Sequence, residues 1–282
     1  MKLRKGDVLL LQYPLKKYYD FIVKKAVKHG VKVVTLIHDL GSFRRKKLTV
    51  EEEIARLNRS HILMVHTNEM AEWLRCHGIT VPIIEIGLWD YISDASFPDE
   101  IKKNIGEKVT LVYAGDLRPK SNNWIYKLGR ENGDLQLRLY GEGFNSADKT
   151  PGITWEGFAD SNKLASLCDG DFGVVWYEDS LDDITGPIGE YLPYCASHKA
   201  SLYLRAGIPI VIWEKAALAR TLTQMGVAVA VPSLRDISQR IKSLSAEEYR
   251  EMRRNAREIG KKISEGVYLS RALKKAMTNI DR

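Results

Sequence analysis

Short apolar, β-branched runs alternate with amphipathic stretches along almost the whole chain. VLLLQY (8–13), VKVVTLI (31–37), HILMVH (61–66) and PIIEIG (82–87) read as strands buried on both faces. Between them KKYYDFIVKKAVKH, VEEEIARLNRS and NEMAEWLRCHG carry helical spacing; in the last, Asn68 is the expected cap and Gly78 the stop. The chain turns polar and irregular over 91–107, the expected linker, and the rhythm then restarts. VTLVYAG (109–115), LQLRLYG (135–141), ITWEG, FGVVWY (172–177), IPIVIW (208–213) and VAVAV (227–231) form a second set of strands. Strands alternating with helices predict parallel sheets, here two doubly wound α/β halves. We place the division at 1–103 and 104–282, with the final helix packing back toward the first half. Ligands of such folds sit outside the strand C-termini. The first half has no strand, glycine turn and helix ahead of VLLLQY, so it reads as short at its N-terminus.

Composition narrows the class. A chain of 282 residues, 44% hydrophobic and 28% charged, is ordinary for a globular protein and excludes disordered and collagen-like classes. No apolar run approaches a membrane span or a secretory leader. Cys76, Cys168 and Cys195 are odd in number, scattered and without a C-x-x-C pair, so they read as reduced thiols of a cytoplasmic protein. Lys and Arg exceed Asp and Glu by 43 to 36, a net +7. Such a balance suits nucleic acid, the anionic inner face of a membrane, or a phosphorylated ligand. Much of the excess lies in helical patterns and in SFRRKK, where a solvated face explains it, and no nucleic-acid motif accompanies it.

Candidate chemistry concentrates in DSLDDITGPIGEYLPYCASHKASLYLRAGIPIVIW (179–213). An acidic loop holding Gly186, Pro187, Gly189 and Glu190 leads to a helix that begins near Ala196-Ser197-His198-Lys199 and stops at Gly207. A helix start offers free N–H groups and a positive dipole end; Ser197 and Ser201 add hydroxyls and Lys199 a full charge, a set that suits a diphosphate. A capped helix with an exposed lysine is the plainer alternative. After VTLVYAG, the turn Gly115-Asp116-Leu117-Arg118-Pro119-Lys120-Ser121 lies at the matching sheet edge, where Lys120 or Arg118 could pair with the same diphosphate. His38 and Asp39 follow a buried strand and form a candidate base and partner. Trp89 and Asp90, in GLWDY, sit at another strand end, where Trp89 either stacks on a ligand or packs. Asp169-Gly170-Asp171 has a D-x-D form but precedes its strand, and Asp182-Asp183 lacks a third ligand, so no metal site is expected. Gly141-x-Gly143 lacks the last glycine of a dinucleotide fingerprint.

The segment GPIGEYLPYCASHKASLYLRAGIPIVIWEKAALA resembles the C-terminal donor-site segment of bacterial β-1,6-galactofuranosyltransferase-type proteins. It is also similar to that of the glucosyltransferase that extends the first sugar on serine-rich-repeat adhesins. VTLVYAGDLRPKS, LIHDL and GLWDY occur at matching points. The resemblance implies a GT-B fold of two Rossmann-like domains, with a UDP-sugar held by the C-terminal one and an acceptor by the N-terminal one. It gives Lys199 a contact to the diphosphate and brings a basic residue to the donor at Lys120, with Arg118 the alternative. It places Phe158 near the uracil, where the adhesin enzyme has a tyrosine.

Together these readings point to a metal-independent, UDP-sugar-dependent hexosyltransferase of cell-surface glycan synthesis. It would move galactofuranose or glucose to a saccharide or glycoprotein acceptor, with no cofactor beyond the donor. A UDP-sugar epimerase on the same fold and a non-catalytic partner subunit are the alternatives. The remaining expectations are self-association into a homo-oligomer and peripheral contact with the inner membrane face.

Overall fold

The computed structural model describes residues 3–15, 18–44, 48–97, 104–145, 147 and 150–280. Lys16, Lys17 and residues 45–47 of the basic runs, and residues 98–103 of the expected linker, lie outside the described residues. So does the N-terminal side of the division expected at 103/104. Chain contacts separate two units. One comprises Met1–Trp89, Glu190–Ala196 and Tyr268–Arg282; the other comprises Asp90–Gly189 and Ser197–Val267. The division therefore is not a single cut near residue 103: it follows Trp89, and a seven-residue excursion at 190–196 belongs with the first unit.

The first unit holds β1 (Val8–Tyr13), α1 (Tyr19–Lys28), β2 (Lys32–Ile37), α2 (Gly41–Arg44), α3 (Val50–Leu57), β3 (Ile62–Val65), α4 (Asn68–Cys76) and β4 (Ile83–Glu85). Its sheet runs β1-β2-β3-β4, all parallel. The strands in β2 and β3 are buried almost throughout, as parallel strands covered on both faces must be. Polar groups inside this core are matched. Tyr19 Oη, Thr35 Oγ1 and Ser60 Oγ close a triangle of 2.8–2.9 Å contacts. The buried Glu53 carboxylate accepts from Tyr13 Oη at 2.6 Å, Gly41 N at 2.7 Å and Ser42 N at 3.0 Å, so it holds the start of α2. The helix α4 is capped one residue earlier than expected. Thr67 Oγ1 accepts from Met70 N at 3.1 Å, while the Asn68 amide turns outward to Glu72. The Thr67 hydroxyl also donates to Tyr194 O, and Leu40 N donates to Tyr191 Oη at 3.1 Å, which ties in the 190–196 segment.

The second unit begins with β5 (Val109–Ala114), α5 (Pro119–Asn122), α6 (Trp124–Glu131), β6 (Leu135–Tyr140), β7 (Ile153–Trp155) and α7 (Ser161–Leu167). It continues with β8 (Phe172–Val175), α8 (Gly186–Tyr191), α9 (His198–Arg205), β9 (Ile210–Trp213), α10 (Ala217–Gln224), β10 (Ala228–Val231), α11 (Ile237–Lys242) and α12 (Ala246–Ser264). Two of the last residues of α8 already count with the first unit, as does most of α13 (Val267–Asn279). The acidic loop expected at 179–190 thus closes in a short helix. All ten expected strands are present. The second sheet is parallel, in the order β10-β9-β8-β5-β6-β7. Strand order reverses between β5 and β8, the switch point of a doubly wound sheet. The four strands of the first unit run consecutively. The cysteines are free thiols, Cys168 buried and Cys76 exposed. No helix among the described residues is long and apolar enough to cross a membrane.

Helix α9 lies close on this sheet. A Cβ on Gly173 in β8 would stand 2.1 Å from Tyr203 Cγ, so the bare glycine is what admits the tyrosine ring. Tyr203 Oη accepts from Ala114 N at 3.1 Å and donates to Val174 O at 3.3 Å, which joins the helix to both strands at the switch point. On its other side a Cβ on Gly260 of α12 would stand 2.1 Å from Leu204 O. Gly173→Ala should therefore cost about 3 kcal/mol, the upper range for overpacking a core. Denaturant melts of the variant and parent check this; an unchanged midpoint would refute it.

Candidate functional site

Beyond the C-termini of β5 and β8 the chain continues as Gly115-Asp116 and as Trp176-Tyr177-Glu178. The N-terminus of α9 meets them there. Ser197 caps the helix: its Oγ accepts from Lys199 N at 3.3 Å and lies 2.9 Å from Tyr177 Oη. The Lys199 side chain, packed among neighbours, places Nζ 4.2 Å from the centre of the Tyr177 ring and 5.2 Å from that of Tyr113. Gly115 has φ of +151°, and a Cβ there would stand 3.2 Å from Lys199 Cε and 3.5 Å from Nζ. Burial pulls the ammonium pKa down, and the Tyr177 and Tyr113 phenols push it up by more, so Lys199 stays charged. Its ammonium makes no ion pair with a carboxylate among the described residues. Tyr113 Oη is buried and interacts with the Lys199 ammonium. Its pKa is raised, by burial first, against the lowering effect of Lys199.

Gly115 also lines a cleft of about 560 Å³ with Asp116, Arg118, Gly141, Phe158 and Leu164 among its walls. Arg118 Nε donates to Asp116 Oδ1 at 2.8 Å and a second guanidinium nitrogen binds Oδ2. That hydrogen-bonded guanidinium holds the Asp116 carboxyl well below the usual carboxylate range. Arg118 therefore reaches the cleft with its charge already matched. Phe158, 69% exposed, offers a bare ring at the rim. Lys120, on α5, is exposed and is not among the cleft walls. Between Arg118 and Lys120 the structure puts Arg118 at the cleft.

The other expected residues are dispersed. Ser201 is fully buried, its Oγ without a partner, because the second turn of α9 faces the core rather than solvent. His198 is exposed. Gly189 is buried in α8, where a Cβ would stand 2.1 Å from Ile184 O, and the exposed Glu190 counts with the first unit. Trp89 is 9% exposed and packed between His66, at 3.4 Å, and His38, at 4.8 Å, with Nε1 donating to Ala196 O at 3.0 Å. It packs rather than presenting a free face. Asp90 opens the second unit. His38 and Asp39 follow β2, both half-buried; His38 Nε2 is buried without a partner, and Asp39 lies beside the Tyr191 phenol. The two acidic motifs are tied up in structure. Asp171 accepts from Thr110 N at 2.7 Å and Tyr249 Oη at 3.1 Å, and Asp169 pairs with Arg138. Asp182 pairs with Arg235, and Asp183 with Lys215.

Sequence reasoning missed Tyr113, Tyr177 and Asp116 as site residues. Both tyrosines close apolar strand runs and so read as core. The available signal was position: Tyr113 is in the last two residues of β5 and Tyr177 follows β8 by two residues, the strands that flank the order reversal.

Comparison with known proteins gives the family and the fold. A family model described as "Glucosyltransferase 3-like, C-terminal domain" matches residues 111–276, and the N-terminal domain model of the same description matches residues 1–88. Among curated relatives, β-1,6-galactofuranosyltransferase WbbI of Escherichia coli (strain K12) is 28% identical over 99% of this chain and 81% of its own length. Glucosyltransferase 3 of Streptococcus parasanguinis is 24% identical over 96% of this chain and 78% of its own. Among solved structures, sucrose-phosphate synthase from Thermosynechococcus elongatus matches with a TM-score of 0.67 at 14% identity, over 98% of this chain and 74% of that one. HepE from Anabaena in complex with UDP matches at 0.61 and 11%, over 93% and 78%. The structural likenesses carry the fold, which is GT-B.

Two half-buried imidazoles set a pH dependence. Burial holds both His38 and His61 below the ordinary histidine value of about 6.5; Asp39 opposes this at His38 and Lys32 adds to it at His61. The unfolded chain then takes up protons first as pH falls. Stability is accordingly lost from about pH 6.5 down through the depressed folded values. Melting temperature should fall over that window, less steeply in His38→Phe. An NMR titration of His38 with a midpoint above 6.5 would contradict the assignment.

Proposed function

Because the chain belongs to the glucosyltransferase 3-like family, we propose that its switch-point site binds the diphosphate of a UDP-sugar. From that donor the enzyme moves a galactofuranosyl or glucosyl unit to a saccharide or glycoprotein acceptor in cell-surface glycan synthesis. The observation that carries this reading is the Lys199 ammonium, held beside the cleft-lining Gly115 with no carboxylate ion pair among the described residues.

The chemistry follows from charge. When the glycosidic C–O bond breaks, the electron pair leaves with UDP, and negative charge grows on the diphosphate. A fixed cation and the N-terminal end of α9 stabilise that charge without reorganising, the most effective form of electrostatic catalysis. Arg118 can share its guanidinium between Asp116 and a phosphate oxygen, so its contribution is smaller. Phe158 offers its face to the uracil. The acceptor hydroxyl must lose a proton, and this reading gives that task to Asp39, with the half-buried His38 imidazole holding the segment in place. Metal plays no part in the proposal, because the D-x-D and D-D carboxylates are engaged by Thr110, Tyr249, Arg138, Arg235 and Lys215. Leu10, Tyr18, Phe21 and Val27 are exposed on β1 and around α1, and self-association would cover them.

Two measurements check the reading. Lys199→Ala should weaken UDP binding by about 1.5–3 kcal/mol, the range for a hydrogen bond to a charged group, with little change in melting temperature. Unchanged UDP affinity by calorimetry would remove Lys199 from the donor site. UDP binding and sugar transfer should also survive EDTA. Activity lost on chelation and restored by manganese or magnesium would show that a divalent cation is required.

A further inference from the structure

A lysine that meets a diphosphate has to be held in place without being neutralised. The usual restraint for a partly buried ammonium is a carboxylate, which would cancel the charge the ligand needs. Here the restraint is aromatic. The Tyr177 ring centre lies 4.2 Å from Nζ and the Tyr113 ring centre 5.2 Å, both within cation–π reach. A ring quadrupole attracts the ammonium but leaves its net charge intact. One ring comes from the C-terminal end of β5 and the other from two residues beyond β8, the two strands that flank the order reversal. Tyr113 is itself fixed, 1% exposed with its ring edge-on to Trp124 at 5.1 Å. Tyr177 is tied to the helix cap through Ser197 Oγ at 2.9 Å. Gly115 completes the arrangement, since its missing side chain leaves room for Cε and Nζ. Arg118, on the cleft that Gly115 lines, is the counterexample: it is restrained by Asp116, which matches its charge.

We infer that Tyr177 and Tyr113 are positioning residues for the donor diphosphate, holding Lys199 as an unneutralised cation through their ring faces. This rests on the donor-site reading above. Both phenol groups also interact with the ammonium through their hydroxyls; the restraint is assigned to the ring faces, so the effect must travel through Lys199.

Tyr177 is the position to test, because Tyr113 is part of the core. The full chain is titrated with UDP by calorimetry at fixed ionic strength, and melting temperatures are recorded alongside. Tyr177→Leu should weaken UDP binding roughly 3- to 10-fold. Tyr177→Phe, which keeps the ring, should stay within about 2-fold of the parent, since only a hydroxyl contact is lost. Combined with Lys199→Ala, Tyr177→Leu should have no further effect, the mark of an interaction that runs through the lysine. An equal loss from Tyr177→Leu with and without Lys199 would overturn the inference. If Lys199→Ala alone leaves UDP affinity unchanged, the donor-site reading itself fails, a distinguishable result. Should Tyr177→Leu melt early, phenylalanine analogues with increasing ring fluorination at that position keep the volume and weaken the quadrupole. UDP affinity should then fall stepwise with fluorine number, and a flat series would overturn the inference.

Discussion

The seating of Tyr203 on Gly173 is the contact on which the second unit's site depends. It brings the α9 backbone close to the sheet, and its hydroxyl binds Ala114 N in β5 and Val174 O in β8. Those two strands are where the order reverses. Once Tyr203 is seated, the N-terminus of α9 six residues earlier has little freedom: Ser197 falls at Tyr177, and Lys199 falls at Gly115. A core-packing event thus decides where the charged end of a surface helix points. Gly260 on α12 closes the opposite side of α9 against Leu204, so the helix is held from two directions by glycines that admit close approach.

The electrostatics around Gly115 divide between two cations with different restraints, Arg118 on the cleft wall and Lys199 beside Gly115. A bidentate arginine–carboxylate pair is geometrically rigid, and a surface pair of this kind contributes only about 0–1 kcal/mol to stability. Its consequence is mainly local: Asp116 fixes where the Arg118 guanidinium lies and reduces what it offers a ligand. An aromatic clamp gives comparable restraint at lower electrostatic cost to the ligand. Burial pulls the Lys199 ammonium pKa down, and the Tyr177 and Tyr113 phenol groups, through charge and hydrogen bonding, more than offset it.

Most of the fold was legible because parallel strands buried on both faces leave an apolar signature that tolerates few alternatives. Every expected strand core appears, and Gly78 and Gly207 end their helices with φ of +101° and +69°. What was not legible depended on contacts distant in sequence. Thr67 displaced Asn68 as the cap because its hydroxyl also reaches Tyr194, more than a hundred residues away. The same excursion at 190–196 made the domain division non-linear. In the site, Lys199, Ser197 and Arg118 were visible as polar residues at strand or helix ends. Ser201 was misjudged because one helical turn separates an exposed face from a fully buried one. Tyr113 and Tyr177 stayed hidden because an aromatic at a strand end is read as core whenever its neighbours are apolar.

The Gly141-x-Gly143 pair shows how a motif can be set aside for sound reasons and still matter. It is not a dinucleotide fingerprint, because it lacks the last glycine. Its role is steric. Gly141 has φ of +141°, and a Cβ there would stand 1.9 Å from Gly115 O; Gly143 has φ of +83°, and a Cβ would stand 2.3 Å from Arg118 Cγ. The loops after β5 and β6 therefore run side by side at backbone distance, joined by the Gly115 N to Tyr140 O and Leu117 N to Glu142 O hydrogen bonds. Any side chain at 141 would push the β5 loop away and carry Gly115 with it, off the Lys199 ammonium. The placement of the cation thus depends on three glycines in two loops as much as on the helix that bears it: Gly141 admits the β5 loop backbone, while Gly143 and Gly115 leave room for the Arg118 and Lys199 side chains.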